Sequence, residues 1–150
     1  MNKCIQELEN SGVAYEKIVL TEKVHSVEDV QKACNCRADE VIKTLLFIGE
    51  KPVMIILPGD KKADKEKIKA ITGESKIKFA TPEEVERLTG YKVGSVSPFG
   101  VSDAVNQIAD ESVKKLNTLY LGSGESNSLI KIDQQNFNKA FKGTYSTIAS

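Results

Sequence analysis

Lys43 opens the most apolar stretch of the chain, Lys43-Thr44-Leu45-Leu46-Phe47-Ile48. An ammonium at the end of a buried strand is costly unless it reaches solvent or an anion. Lys43 is therefore either a snorkelling lysine or a cation aimed at a phosphate or carboxylate in a cleft. The second reading puts it at the mouth of a pocket. A second feature is Gly90-Tyr91-Lys92-Val93-Gly94-Ser95-Val96-Ser97-Pro98-Phe99-Gly100, irregular and directly behind a helical pattern. Its glycines let backbone N–H groups approach a ligand closely, where they can polarise a carbonyl or hold a phosphate. The alternative is a rigid turn that closes the sheet. A third is Gly122-Ser123-Gly124-Glu125-Ser126-Asn127, which is either a plain hairpin loop or a source of donors at the strand ends. It is not a P-loop, since no Gly-Lys-Ser/Thr follows. The fourth, His25, stands just before an N-cap serine, Ser26. It reads as a helix-entry histidine, or as a hydrogen-bonding group at a helix N-terminus.

The missing residue types narrow the chemistry. His25 is the one histidine, so no second imidazole is available to a metal or a Ser-His-Asp arrangement. The three cysteines, Cys4, Cys34 and Cys36, form an odd set, and Cys34-x-Cys36 is one residue short of the common metal spacing. They read as free thiols in a reducing compartment, with no metal and no cofactor. The N-terminal MNKCIQELEN has no apolar stretch of signal-peptide length, and no apolar run approaches membrane-helix length. A cytoplasmic protein that engages no membrane is expected. Lys plus Arg and Asp plus Glu are both 21, a net charge of zero. A protein gripping long nucleic acid through many phosphates is usually basic. A general DNA or RNA coater is thus excluded, whereas contact with one end of an RNA through a few local cations is not.

The 150 residues, 40% hydrophobic and 28% charged, suit one globular domain, 1–150. Ile5 and Leu8 before Ser11-Gly12 read as a short helix with a glycine stop. A strand follows at Tyr15–Leu20, and a helix begins after Ser26. Lys43–Ile48 and Val53–Leu57 form a hairpin whose near-continuous apolar character predicts a central position, buried on both faces. Ala63–Ile71 is helical and Lys76–Phe79 a strand. Thr81-Pro82-Glu83-Glu84 starts a helix that ends at Thr89-Gly90. Val105–Ile108 is a short strand and Glu111–Leu116 a short helix. Thr118–Leu121 and Leu129–Ile132 are strands around the Gly122-Ser123-Gly124 turn. Asp133 caps a last helix, and the C-terminal residues are extended. Strands and helices without a regular βαβ rhythm give an α+β class.

Read in order, Lys43-Thr44, the Gly90-to-Gly100 loop and Gly122-Ser123-Gly124 make the chain resemble the YbaK/ProX family of aminoacyl-tRNA deacylases. That family includes the editing domain inserted in bacterial prolyl-tRNA synthetases. The resemblance runs from His25-Ser26-Val27-Glu28 through Val41–Phe47, Leu57-Pro58-Gly59-Asp60 and Ala80–Val85 to Leu88-Thr89-Gly90-Tyr91, Gly94 and Ser97-Pro98-Phe99-Gly100. It implies a mixed, barrel-like β-sheet surrounded by helices. It also implies a free-standing, metal-independent hydrolase that cleaves the ester between a wrong amino acid and its tRNA. In that picture Lys43, Gly94 and Ser97 are catalytic. His25, Thr44, Gly90, Tyr91, Pro98, Phe99, Gly100, Gly122, Ser123 and Gly124 bind substrate. The partners implied are an aminoacyl-tRNA acceptor end and a prolyl-tRNA synthetase, not DNA. Some members carry a histidine in or after the last glycine loop; this chain has none there. Thr44 after Lys43 matches members that resemble cysteinyl-tRNA deacylases, so Cys-tRNA for proline, or another small amino acid on that tRNA, is the expected substrate.

An aminoacyl ester is already activated, and the neighbouring ribose hydroxyl can assist attack. The protein then needs positioning and carbonyl polarisation more than a nucleophile or a strong base. The competing class is a non-catalytic module of the same fold that docks a tRNA end, a nucleotide or a synthetase. Retention of Lys43 together with both glycine loops favours the enzyme.

Overall fold

The computed structural model describes residues 2–24 and 26–150; His25, one of the expected binding residues, lies outside them. In chain order the elements are α1 (Lys3–Ser11), β1 (Glu16–Val19), α2 (Val27–Cys34), β2 (Ile42–Ile48), β3 (Pro52–Pro58), α3 (Lys65–Thr72), β4 (Lys78–Phe79), α4 (Pro82–Thr89), β5 (Asn106–Asp110), β6 (Thr118–Gly122), β7 (Ser128–Asp133), α5 (Gln134–Ala140) and β8 (Thr144–Ser146). Two 3-10 turns, Ala38–Glu40 and Glu111–Lys115, join them. The helix starts follow local chemistry. Ser26 accepts the Asp29 amide, and Thr81 and Glu84 cap each other reciprocally with Pro82 behind them. α1 and α4 stop where Gly12 and Gly90 take left-handed backbone.

The strands form two sheets. β1-β7-β6 is antiparallel throughout; β4-β2-β3-β5-β8 is mixed. β2 and β3 pair antiparallel over their full length, Ile42 opposite Pro58 to Ile48 opposite Pro52. β5 and β8 then add parallel to β3. The α+β class and the central hairpin are as expected. β3 is buried on both faces. Met54 and Ile56 point into a core shared with Leu119, Leu121, Ile130 and Ile132 of the smaller sheet. Val53, Ile55 and Leu57 alternate to the other face, under Ile68 of α3. A third cluster, Val30, Val41, Tyr120 and Leu129, packs α2 on the outer face of the smaller sheet. A parallel bridge from Val41 to Tyr120 ties the two sheets together.

The differences from expectation have local causes. α3 starts at Lys65 because Asp64 caps it, accepting the amides of Glu66 and Lys67, while Ala63 bridges to Ala149. β4 is only two residues long: it meets β2 at Phe47 and Ile48, after which the chain is committed to the α4 cap at Thr81. Glu111–Lys115 winds as a 3-10 turn rather than an α-helix. The extended C-terminus becomes β8 and then a tail clamped by one carboxylate. Asp110, 5% exposed, accepts the amides of Ile148 and Ala149 at 3.0 Å each, as well as the amide and hydroxyl of Ser112.

Burial pushes the Asp110 carboxyl up, but these four hydrogen bonds outweigh it and the pKa is lowered overall. A depressed carboxylate contributes stability above its unfolded pKa of about 4, and that contribution is lost as pH falls through the lower folded value. Asp110→Asn should therefore cost on the order of 1–3 kcal/mol at neutral pH. Urea unfolding should also show a smaller loss of stability in the acid range below about 4 than wild type. Equal acid slopes for the two proteins would remove Asp110 as the clamp.

Candidate functional site

β2 is paired along its whole length on one edge. On the other edge β4 covers it only at Phe47 and Ile48, and Tyr120 bridges to Val41 just before the strand begins. Between these points a pocket of about 410 Å³ opens against the uncovered edge. Its wall takes Ile42, Lys43, Thr44, Leu45 and Leu46 from β2, Val24, Val27 and Val30 from around α2, and Phe79, Ala80 and Val85 from the β4–α4 side. Val93, Gly94 and Val96 of the first glycine loop and Tyr120, Gly122 and Leu129 of the smaller sheet complete it.

Strand geometry decides what β2 offers. The Leu46 carbonyl accepts the Ala80 amide at 2.9 Å, so Leu46 turns its peptide group toward the uncovered edge. In an antiparallel strand that direction alternates, and Thr44, two residues earlier, turns its N–H and C=O the same way. The Thr44 hydroxyl lies on the face of Ile42 and Leu46 and is buried without a hydrogen-bond partner among the described residues. Such an atom costs about 1–3 kcal/mol unless something pairs with it, and a polar group of a ligand would do so.

Lys43 is the one charged side chain among the described lining residues. Alternation puts it on the opposite lip, with Leu45 and Phe47. Its ammonium donates to the Lys61 carbonyl in the loop after β3. Burial pulls its pKa below the usual lysine range; the Asp60 carboxylate raises it in part, and the nearby Lys62 charge lowers it further. A partly desolvated cation held by a neutral carbonyl can exchange that partner for an anion, where its charge counts for more than in water.

The two glycine loops form one unit. The Gly124 amide donates to the Ser95 carbonyl at 2.9 Å. Gly122 lies so close to the first loop that a Cβ there would stand 2.1 Å from the Val96 carbonyl oxygen. Gly124, at φ +91°, would bring a Cβ to 2.7 Å from the Tyr91 ring. Behind this contact the remaining predicted residues are structural supports. The Tyr91 hydroxyl donates to the Phe99 carbonyl, and burial pushes its pKa upward. Ser97 is fully buried; its hydroxyl meets the Cys4 thiol at 3.2 Å and accepts the Phe99 amide. Pro98 gives its carbonyl to Gln107, and the Ser123 hydroxyl is shared with Ser128. Gly90 caps α4, and Gly100 sits beside the Tyr91 hydroxyl and Lys3. Of the predicted set, Lys43, Thr44, Gly94 and Gly122 therefore meet at the pocket. Tyr91, Ser97, Pro98, Phe99, Gly100, Ser123 and Gly124 lie behind its wall. The apolar lining from α2 and Phe79 is absent from the predicted set, because scattered valines and one phenylalanine carry no motif.

Burial pushes the Cys4 thiol up to about 11, against the hydrogen bond from Ser97. It also raises Cys34 and Cys36, so all three are poor thiolates. Among the described residues no group of three or more His, Cys, Asp or Glu side chains converges to hold a metal.

The model of the aminoacyl-tRNA editing domain matches residues 21–140. The chain belongs to the aminoacyl-tRNA editing domain family. It is 34% identical over 110 residues to a proline–tRNA ligase of Geobacillus sp. (strain WCH70), covering 69% of this chain and 19% of that one. It is 31% identical over 118 residues to the proline–tRNA ligase of Bacillus cereus (strain G9842), covering 78% and 21%. The chain thus spans about one fifth of the length of these curated relatives. Two solved structures share the editing-domain fold over nearly their whole length. The hypothetical protein APE2540 superposes with a TM-score of 0.92 at 20% identity, covering 99% of this chain and 100% of that one. A candidate trans-editing enzyme for prolyl-tRNA synthetase gives 0.88 at 19%, covering 100% and 99%.

The closeness of the editing-domain loops makes a direct prediction. Gly122→Ala must displace the backbone at Val96 and should lower stability by about 1–3 kcal/mol. A urea midpoint equal to wild type would mean that the two loops are not held in this contact.

Proposed function

We propose that the chain is a trans-editing hydrolase that deacylates mischarged aminoacyl-tRNA. The substrate is Cys-tRNA for proline, or another small uncharged amino acid on that tRNA. The observation that carries this reading is an apolar pocket on an uncovered strand edge with one cation, Lys43, on its lip. The apolar interior suits an uncharged aminoacyl side chain. The Thr44 peptide and hydroxyl suit the ester or amino group, and Lys43 suits the phosphate of the terminal nucleotide. Among the described lining residues there is no carboxylate, imidazole or thiol. The reading accordingly gives the base to the substrate: the neighbouring ribose hydroxyl orients a water and takes up its proton as it attacks the ester carbonyl. The ester C–O bond then breaks, the tRNA hydroxyl leaves with the proton, and the amino acid is released as the free acid. Holding these groups in register can supply about 7–11 kcal/mol of barrier lowering without a metal or a covalent intermediate. The neutral chain, with 21 charges of each sign, makes its own hold on tRNA weak, so a prolyl-tRNA synthetase is the proposed partner for delivery.

The test is single-turnover deacylation of a panel of mischarged tRNAs, including cysteine and alanine on tRNA for proline. Lys43→Ala should lose roughly 10- to 150-fold, the worth of one charge-assisted contact of about 1.5–3 kcal/mol. His25→Ala should lose much less and keep the same pH profile. Near-normal Lys43→Ala activity would remove the anchor. An acid limb near pH 6.5 that disappears in His25→Ala would give the base to the protein. Binding of tRNA without hydrolysis of any ester would leave a docking module.

A further inference from the structure

Phe79 is 55% exposed, the one phenylalanine among the exposed large hydrophobic residues. Its ring rests on Phe47, centroids 4.4 Å apart and planes at 31°. Phe47 is fully buried, so this support is fixed from below. The Lys65 ammonium stands over the Phe79 ring at 5.3 Å from its centroid. The ring also lines the pocket and lies, with Lys43, Leu45 and Phe47, on the outer lip of β2. Lys43, with Lys62 near it, and Lys65 border this lip, and Asp60 stands near Lys43. The chain is neutral as a whole, and Lys43 and Lys65 are the cations that these contacts put beside the ring and the pocket.

We propose that Phe79 is a stacking platform for the base of the terminal nucleotide, next to the ester held in the pocket. This rests on the deacylase reading and adds a recognition residue to it. A half-exposed ring braced by a second ring suits a flat, partly solvated ligand; an aminoacyl side chain would go to the apolar interior instead. A base would take the face that Lys65 covers. Lys65, on a flexible exposed stem, would move to a neighbouring phosphate. Aromatic stacking tolerates any base and needs few cations, which suits a chain that must hold one RNA end with no net charge.

The chain contains no tryptophan, so Phe79→Trp places a sole tryptophan at the platform, one that can be excited apart from the four tyrosines. Its emission should be quenched by AMP and not by ribose 5-phosphate, which lacks the base. This readout needs no catalysis, so it stands even where the deacylase reading fails. In the deacylation assay, Phe79→Leu keeps an apolar contact on Phe47 but removes the ring. It should raise KM for aminoacyl-tRNA on the order of 10-fold with kcat held, while Phe79→Trp keeps the wild-type KM. Equal quenching by AMP and ribose 5-phosphate, or no quenching by AMP, would overturn the platform. An unchanged KM in Phe79→Leu would also overturn it.

Discussion

The site depends on an unfinished strand edge. β2 is the second strand of a five-stranded sheet, yet β4 covers it for only two residues before the chain turns into α4. An exposed edge is ordinarily a liability, because its unpaired peptide groups invite another strand. Here the gap is walled by α2, by the β4–α4 corner and by the two glycine loops, so no strand can enter. What remains is a small recess with directed peptide groups and two usable lips. One face of β2 supplies Ile42, Thr44 and Leu46, and the other supplies Lys43 and Leu45. A strand interior could not do this, since its two faces are separated by the sheet itself. The same edge explains why Lys43 and Thr44, adjacent in sequence and opposite in direction, can serve one ligand.

The glycine loops owe their composition to this arrangement. Gly122 ends β6 against the Val96 carbonyl, and Gly124 turns the chain past the Tyr91 ring with its amide on Ser95. Any side chain at Gly122 would push the first loop away from β6 and open the recess. Tyr91, Ser97 and Phe99 then fix the loop from behind through the hydrogen bonds of Tyr91 to Phe99 and of Ser97 to Cys4 and Phe99. These residues shape the wall without touching its cavity. A buried hydroxyl such as Ser97 looks in sequence like one poised for chemistry, and only its surroundings tell the two apart.

Much of the fold was legible in the sequence because the local signals agree with the tertiary outcome. The Thr81-Pro82-Glu84 cap, the Gly90 stop and the β2–β3 hairpin each contain their own cause. The parallel pairings of β5 with β3 and of β8 with β5 were not legible, since no local residue pattern distinguishes a parallel neighbour from an antiparallel one. The same holds for the short β4: the alternation at Lys76–Phe79 fits a strand, but its length is set by where β2 can receive it. At the site, Lys43 and Gly94 stood out because a lysine beside an apolar run and a glycine-rich loop are locally unusual. Val24, Val27, Val30 and Phe79 could not stand out, because an apolar residue announces burial and not which cavity it faces.

Neutral net charge and an apolar pocket bear on one energetic question of the proposed function: how a small protein would hold a large polyanion for long enough to act. Long-range attraction is weak, so the free energy must be concentrated at the reacting end. Desolvation helps there. Lys43 already sits with its pKa lowered by burial and its ammonium on the Lys61 carbonyl, so pairing with a phosphate regains part of what burial has cost it. The Thr44 hydroxyl, buried and without a partner among the described residues, would gain a hydrogen bond from a polar group brought to it. A ligand that offers an anion to Lys43 and a polar group to Thr44 would satisfy both. In the proposed deacylase reading, such contacts would lie beside the ester rather than along the tRNA.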